Sequence, residues 1–255
     1  MALIESRNNP IIKRVRSLEA AKQRRELGLH LVEGEKLVRE AVASGAAIDE
    51  LFAEEGVLLE TVPIPENVPV YTVTRSVLTS MADSCTPQGI VATVRTPDTT
   101  LPKQFPEGMI VVLDGVQDPG NVGAILRSAD AFGAKGAVLS PACADPYSPK
   151  SIRAAMGSTY HLPIWRADAG QAVDQLKQQE YFALCGHLHG TETLPKLPKR
   201  TALVIGNEGN GVSYEVARRC ELYRLPMYGK AESLNAAVAA GILLYIVGTA
   251  AGSKG

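Results

Sequence analysis

Side chains that could take part in chemistry fall in three polar, glycine-rich segments of the C-terminal half. The first holds Asn121 and, six residues later, Arg127; the second holds Glu208; the third holds Ser233 and Asn235. Each segment follows a predicted strand, and open α/β sheets bind ligands in the loops after the carboxyl ends of strands. The pattern therefore predicts a ligand site. The residues alone leave open a plainer interpretation, in which Asn121 caps a helix and Arg127 is a surface charge.

The glycines of these segments narrow the kind of ligand. From Gly206 to Gly211, three glycines in six residues allow the backbone to approach a ligand closely, although they would serve a tight turn equally well. The glycines after Leu113 do not fit the G-x-G-x-x-G spacing of dinucleotide-binding folds. This spacing disfavours a nucleotide-binding oxidoreductase.

The elements that must position these segments alternate between strand and helix, which predicts an open parallel α/β sheet. Residues 109–113 form a continuous apolar run, typical of a strand buried on both faces. Further strands are predicted at 137–139, 181–184, 203–205 and 222–225. Helices are predicted at 121–132, 149–156 and 173–179, and a final helix is predicted to have Ser233 as its N-cap.

The N-terminal part also alternates, and it predicts a small α/β domain. Helices are predicted at residues 16–27, 35–43 and 74–82, and strands at 30–32, 48–53, 70–73 and 89–94. Prolines and threonines crowd together between Thr96 and Gly108, which indicates an interdomain linker. The sequence therefore predicts two domains, residues 1–96 and 107–255.

The charge of the chain is unevenly distributed. The net charge of −1 is not typical of a nucleic-acid-binding protein, yet basic residues dominate the region between residues 5 and 25. Among them are Arg14, Arg16, Arg24 and Arg25. Such a strip could neutralise RNA phosphates or form the solvated face of a helix, and charge alone does not decide. Later in the chain, Lys150 and Arg153 could likewise bind RNA or form salt bridges.

Metal, membrane and export functions are disfavoured. The cysteines at 85, 143, 185 and 220 form no C-x-x-C pair, which favours small buried side chains over a zinc site. His187 and His189 have no evident third ligand, so no metal is expected. The apolar segment 236–251 is rich in alanine and slightly short for a bilayer, which favours a core helix. The first residues lack the apolar core of a secretory signal, so we expect a cytoplasmic protein.

Taken together, the three segments resemble the motifs of the SpoU (TrmH-type) family of RNA methyltransferases, within the SPOUT superfamily. The matching stretches are DGVQDPGNVGAILRSADAFG at 114–133, IGNEGNGVS at 205–213 and LPMYGKAESLN at 225–235. Residues 6–10, 31–36 and 87–91 resemble the substrate-binding domain that many members carry, which is similar to a small RNA-binding fold of ribosomal proteins. The resemblance covers the region after the linker and parts of the region before it.

The resemblance implies an enzyme that methylates a ribose 2′-hydroxyl of RNA with S-adenosylmethionine. The extra N-terminal domain favours 23S ribosomal RNA over transfer RNA. The alternatives are a transfer RNA 2′-O-methyltransferase and a catalytically silent RNA-binding protein of the same fold. The resemblance also implies a deep trefoil knot and a homodimer whose partner subunit helps to complete the site.

The same resemblance assigns roles to single residues. The catalytic set is Arg127, Asn121, Glu208, Ser233 and Asn235; the residues that line the cofactor site are Gly206, Leu225 and Leu234. Asn121 and Glu208 would orient Arg127 and the substrate. A free guanidinium has a pKa above about 12 and is a poor base, so a clamp on the neighbouring phosphate is the more natural role for Arg127. The sequence does not separate a role of Arg127 as the base that activates the 2′-hydroxyl from a role as the phosphate clamp.

Overall fold

The computed structural model describes residues 3–59, 62–84 and 86–250. The chain divides into two compact units. The first unit comprises Met1–Pro97 together with Asp145–Tyr160, and the second comprises Asp98–Ala144 together with His161–Gly255. The return of the chain to the first unit at Asp145 has no counterpart in the sequence analysis.

The elements follow one another in this order. They are α1 (Pro10–Ser17), α2 (Ala21–Leu27), β1 (Leu29–Glu33), α3 (Glu35–Ala43), β2 (Ile48–Glu54), β3 (Val70–Val73), α4 (Arg75–Met81), β4 (Ile90–Arg95), β5 (Met109–Asp114), α5 (Pro119–Ala131), β6 (Gly136–Leu139), α6 (Pro149–Ala155), a 3₁₀ turn (Ser158–Tyr160), β7 (Ile164–Arg166), α7 (Ala169–Gln178), β8 (Phe182–Thr191), β9 (Thr201–Gly206), α8 (Tyr214–Ala217), β10 (Glu221–Tyr223) and α9 (Ala236–Ala250).

The first unit contains a four-stranded sheet in the order β1-β4-β2-β3. Its pairs are antiparallel except for β2 and β3, which are parallel. The predicted helix over residues 16–27 is wrong in one respect, because two helices, α1 and α2, cover this region. The carbonyls of Leu18 and Glu19, at the break, accept hydrogen bonds of 2.8 and 2.7 Å from Arg24 Nη1. As predicted, α2 ends at Gly28, which has a φ of 63°.

The segment from Asp145 to Tyr160 joins the first unit through buried polar contacts. His30 is fully buried. Its Nε2 lies 3.1 Å from the Tyr160 hydroxyl and its Nδ1 3.1 Å from Thr96 Oγ1. Burial, together with the positive charge of Arg24, lowers the pKa of His30 to about 3, against an opposing effect of Asp145. The imidazole is therefore neutral in the folded protein at physiological pH.

The second unit contains a six-stranded sheet in the order β10-β8-β9-β5-β6-β7, and every pair is parallel. This confirms the predicted open parallel α/β sheet. Successive strand residues point to opposite faces. Accordingly, Cys185 packs in a core cluster with Leu176 of α7, whereas its neighbour Gly186 lies against Leu243 of α9. Helices thus cover both faces of the sheet.

The stretch predicted as an interdomain linker is largely packed into the second unit. Phe105 is buried, and its ring meets that of Trp165 edge-on at 5.3 Å. Its backbone N–H donates to Gln179 Oε1 at 2.9 Å, and Gln175 Nε2 donates to the Pro102 carbonyl at 2.8 Å. The linker prediction is therefore wrong for the residues after Pro97, because proline-rich chain can pack against a core without regular structure.

The last helix packs against the core through one face, which agrees in part with the predicted core helix, and it begins later than predicted. Asn235 Oδ1 accepts hydrogen bonds from the N–H groups of Ala237 and Val238 at 2.9 and 3.3 Å. Asn235 rather than Ser233 is therefore the N-cap. Residue 251, the last of the predicted apolar segment, lies outside the described residues. Over the described ranges, no helix is long and apolar enough to cross a membrane.

The cysteines that the structure describes are free thiols. Cys143 and Cys185 are buried, and Cys220 is half-buried. Burial raises the pKa of Cys220 to about 11, and it raises that of Cys185 further. Cys85 lies outside the described residues. The described thiols are buried or half-buried side chains, in keeping with the structural interpretation.

Candidate active site

A cavity of about 440 Å³ opens beside the ends of β8, β9 and β10 in the second unit. Its volume falls within the range of roughly 300–1,000 Å³ that is typical of small-molecule sites. Two loops line it: residues 206–213, here called the glycine loop, and residues 224–235, here called the pre-helix loop. The sequence-predicted residues in its wall are Gly206, Glu208, Leu225, Ser233 and Leu234.

The glycine loop is closed by its own backbone and by one asparagine. The N–H groups of Asn207 and Gly211 donate to each other's carbonyls at 2.8 and 3.0 Å. Asn207 Oδ1 accepts from the N–H of Gly209 at 2.8 Å, and Asn207 Nδ2 donates to the Gly115 carbonyl at 2.8 Å. Asn207 therefore fixes the glycine loop and anchors it to the first polar segment.

Gly206 stands where the two ends of the glycine loop meet. A Cβ at this position would lie 2.2 Å from the Gly211 carbonyl carbon and 2.2 Å from the Val212 nitrogen. Real Cβ atoms do not approach backbone so closely, so no side chain fits here. The glycine loop therefore closes only with glycine at this position, and it presents bare backbone to the cavity.

A chain of three side chains connects the three polar segments. Asn121 Nδ2 donates to Glu208 Oε1 at 2.9 Å, and Asn235 Nδ2 donates to Asn121 Oδ1 at 3.2 Å. The Glu208 carboxylate also accepts the backbone N–H groups of Gln117 and Asp118 at 3.2 and 3.3 Å. Asn121 is thus a bridge and not a helix cap, since Asp118 caps α5 by accepting from the Asn121 N–H.

The same contacts set the ionisation of Glu208. Desolvation acts to raise the pKa of this carboxyl. The hydrogen bonds donated by Asn121 and by the backbone at Gln117 and Asp118 outweigh it, so the pKa of Glu208 is lowered. Glu208 is therefore an anion that holds the start of α5, and its geometry suits positioning better than proton transfer.

Arg127 projects from α5 and does not line the cavity. It is exposed, and within the described ranges no hydrogen bond or ion pair joins it to Asn121 or Glu208. The expected direct orientation of Arg127 by these two residues is therefore not formed within one chain. Asn121 and Asn235 also lie outside the cavity wall, and Asn121 is connected to it through Glu208.

One wall of the cavity, in the C-terminal half of β8, was not predicted from the sequence. His187, Leu188 and His189 line it there. Burial and the neighbouring His189 lower the pKa of His187. The position of β8 beside β9 explains the contribution, because neighbouring parallel strands end at the same edge of a sheet. Among the described residues, no group of three or more potential ligands could hold a metal ion.

The basic strip of the first unit is not uniform. Arg24 is buried; its Nε and Nη2 contact Asp145 Oδ2 at 2.8 and 2.7 Å, which makes it unavailable to phosphates and corrects the sequence-based prediction. Arg14 forms an ion pair with Glu50, whereas Arg16 and Arg25 are exposed. Arg153 forms an ion pair with Asp83 within the first unit, which agrees with the salt-bridge alternative for this residue.

Two protein-family models match this chain. The model of the SpoU rRNA methylase family matches residues 108–245. The chain belongs to this family. A second model, of an MRM3-like substrate binding domain, matches residues 9–92.

Similar proteins of the SpoU family match the chain over nearly its whole length. The 23S rRNA (guanosine(2553)-2′-O)-methyltransferase RlmP of Bacillus subtilis is 33% identical, over 96% of this chain and 98% of that protein. The AdoMet-bound rRNA methyltransferase of Sinorhizobium meliloti superposes with a TM-score of 0.88 at 34% identity, over 96% and 97% of the two chains. The AdoMet complex of the SpoU methyltransferase AviRb from Streptomyces viridochromogenes gives 0.85 at 28% identity, over 95% and 98%.

Proposed function

We propose that this protein transfers a methyl group from S-adenosylmethionine to a ribose 2′-hydroxyl of 23S ribosomal RNA. One observation carries the proposal: Gly206, Leu225 and Leu234, which the family resemblance assigns to the cofactor, all line one cavity of suitable size. The similarity to RlmP, named for this reaction on 23S rRNA, supports the substrate class. The match of residues 9–92 to a substrate binding domain supports a macromolecular substrate.

The cavity fits an adenosine with a methionine tail. Apolar side chains such as Leu225, Leu234 and Leu243 offer surface to a base, and the bare backbone at Gly206 allows close approach of polar groups. When bound, S-adenosylmethionine supplies an activated methyl group on its sulfonium. The chain itself must hold the ribose hydroxyl in line with that methyl and stabilise the oxygen as its proton is lost.

Arg127 is the residue we assign to the reacting ribose. Its planar guanidinium can bind a phosphate through two parallel hydrogen bonds and place positive charge beside a developing alkoxide. Exposure and the lack of a carboxylate partner within the described ranges keep the guanidinium available. We propose that Asn121, Glu208, Ser233 and Asn235 position the loops around this group.

Arg127 lies outside the cavity of its own chain, and we propose that it serves the cavity of a second copy in a homodimer. An apolar stripe on α9 supports this: Val238, Ile242 and Tyr245 are 51%, 41% and 57% exposed. Tyr245 contacts Phe132 at the end of α5, so the stripe and Arg127 belong to neighbouring helices. Exposed apolar stripes of this kind mark interfaces.

Mixing two inactive variants tests the dimer. Arg127→Ala chains and Gly206→Ala chains, refolded together, should regain activity, because mixed dimers contain one site with both residues intact. Sedimentation should give the mass of two chains. A monomeric active protein, or no recovery on mixing, would contradict the shared site.

Three further features belong to this proposal. We propose that the region from the glycine loop to α9 forms the trefoil knot of the SPOUT superfamily, and that the enzyme acts in the cytoplasm, where ribosomal RNA is modified. We also propose that Arg16 and Arg25 contact RNA phosphates. Their exposure on α1 and α2 supports that role.

Mapping of 2′-O-methyl groups in total RNA, from cells with and without the gene, tests the function directly. One 23S ribosomal RNA nucleotide should lose its methyl group when the gene is absent, and the purified protein should restore it. Loss from a transfer RNA would favour the transfer RNA enzyme instead. Saturable binding of S-adenosylmethionine, with RNA binding but no methyl transfer, would indicate a catalytically silent RNA-binding protein.

A further inference from the structure

The pre-helix loop carries an unusually exposed aromatic side chain. Tyr228 is 97% exposed, although tyrosine rings commonly bury most of their apolar surface. Within the described ranges it has no ring contact and no hydrogen bond through its hydroxyl. Folding of the chain alone therefore gives no account of an aromatic residue at this position.

The surroundings of Tyr228 distinguish it from an ordinary surface tyrosine. It directly follows Met227, which lines the cavity, and Leu225 of the same loop lines it too. Lys230, two residues later, is exposed and adds a positive charge. Tyr214, by contrast, is 79% exposed but lies on α8, and none of the α8 residues lines the cavity. Tyr228 and Lys230 thus place an exposed ring and an exposed cation on the loop that lines the cavity, within three residues of Met227.

An exposed ring and a cation on one loop match the two parts of an unpaired nucleotide, which are the face of its base and its phosphate. RNA-binding proteins that read loops and bulges stack splayed bases on aromatic side chains and contact the phosphates with basic ones. We propose that Tyr228 stacks on the base of the nucleotide whose ribose is methylated, and that the substrate is an unpaired nucleotide of a loop or bulge. This inference rests on the proposed function.

Steady-state methylation of unmodified 23S ribosomal RNA transcript tests the stacking. Tyr228→Ala should raise the KM for RNA about 5- to 150-fold, the range that loss of one base–aromatic stack gives. Tyr228→Phe should stay within about twofold of the unaltered protein, because it keeps the ring. Tyr214→Ala is the matched control and should change nothing. Calorimetry should show unchanged cofactor affinity for all three variants.

A synthetic RNA hairpin with the mapped nucleotide, made with and without the base, gives a sharper test. Removal of the base keeps the ribose hydroxyl but removes the stacking surface. It should weaken binding to the unaltered protein and to Tyr228→Phe, but scarcely to Tyr228→Ala. Equal base dependence for Tyr228→Ala, or a KM unaffected by it, would overturn the inference while leaving the proposed function intact. No methyl transfer by the unaltered protein to any RNA would overturn both.

Discussion

The side chains of Asn121 and Asn235 share a hydrogen bond of 3.2 Å across 114 positions of sequence. Asn121 passes the connection on to Glu208 at 2.9 Å, so one polar chain joins α5, the glycine loop and the cap of α9. The three segments that bear the family's motifs are therefore physically coupled, and the coupling can be measured.

A double-mutant cycle with Asn121→Ala and Asn235→Ala should reveal this coupling. Each variant loses stability, and Asn235→Ala also loses the helix cap, which contributes about 1 kcal/mol. The cycle subtracts that cap effect and should leave a coupling energy of about 0.5–1.5 kcal/mol in urea unfolding. Asn8→Ala, in the first unit, is the control and should combine additively with Asn235→Ala. Additivity of the Asn121 and Asn235 variants would refute the coupling.

Gly206→Ala should abolish cofactor binding. The added methyl would lie 2.2 Å from backbone atoms at Gly211 and Val212, so the glycine loop must open to admit it. The matched control is Gly209→Ala in the same loop, where the nearest atom to the new methyl is the Asn207 side-chain oxygen at 3.5 Å. Calorimetry with S-adenosylhomocysteine should show no binding for the first variant and near-normal binding for the second. Equal affinity of the two variants would remove the glycine loop from the cofactor site.

Arg127→Ala should lower single-turnover methyl transfer about a hundredfold or more, the usual cost of losing one preorganised transition-state donor. Thermal unfolding should stay unchanged, because the side chain is exposed. Cofactor binding should also stay unchanged, because Arg127 lies outside the cavity wall of its own chain and is assigned to the reacting ribose, not to the cofactor. Arg127→Lys keeps the charge but loses the planar fork, so a bidentate phosphate clamp predicts that it is also poor. A rate for Arg127→Ala within about threefold of the unaltered enzyme would exclude the residue from the mechanism.

Neutralising Arg16 and Arg25 together should weaken RNA binding and flatten its salt dependence. Each lost phosphate contact reduces the slope of log K against log salt concentration by about 0.7–0.9. Arg24→Gln is the informative comparison, because Arg24 is buried on Asp145 and the change should instead lower the unfolding temperature. RNA affinity unaltered by the double change would show that the strip is only a solvated surface.

Stability should fall in mild acid because His30 is buried and neutral. Its pKa is lowered from 6.5 to about 3, so the unfolded chain takes up a proton below pH 6.5 that the folded chain does not. Stability from this group is complete above pH 6.5 and is lost progressively towards pH 3. Between pH 7.5 and pH 5 the loss is about 2 kcal/mol. Urea unfolding at both pH values should show it, and His30→Gln should abolish this part of the loss, unlike the control His189→Gln.

Much of the second sheet could be predicted because its strands are continuous apolar runs, as at residues 109–113. Strand β7 and helix α8, with three and four residues, are too short to show a period and were missed. Ser233 and Asn235 are both good N-cap residues. In the structure Asn235 is the cap, and its side chain is also held by the hydrogen bond to Asn121. That bond is a tertiary contact, so local sequence could not predict it.

The candidate site was predictable in its backbone more than in its side chains. The need for glycine at position 206 belongs to a glycine-rich motif that is visible in the sequence. The ion-pair partner of Arg24, in contrast, lies 121 positions away at Asp145. Spacing gives no information on such a distant pair. The exposure of Tyr228 likewise depends on how its loop leaves the sheet, which the sequence alone does not specify.

The return of residues 145–160 to the first unit bears on how this polypeptide can be dissected. The chain passes between the units at residues 97, 144 and 160, so a single cut does not separate two modules. A fragment that begins at residue 98 would carry Ile152, now 1% exposed, without the apolar partners around it. A fragment that ends at residue 97 would leave Arg24 without its carboxylate. To express the two units separately, residues 145–160 must therefore be removed from the gene fragment for the second unit and joined to the fragment for the first.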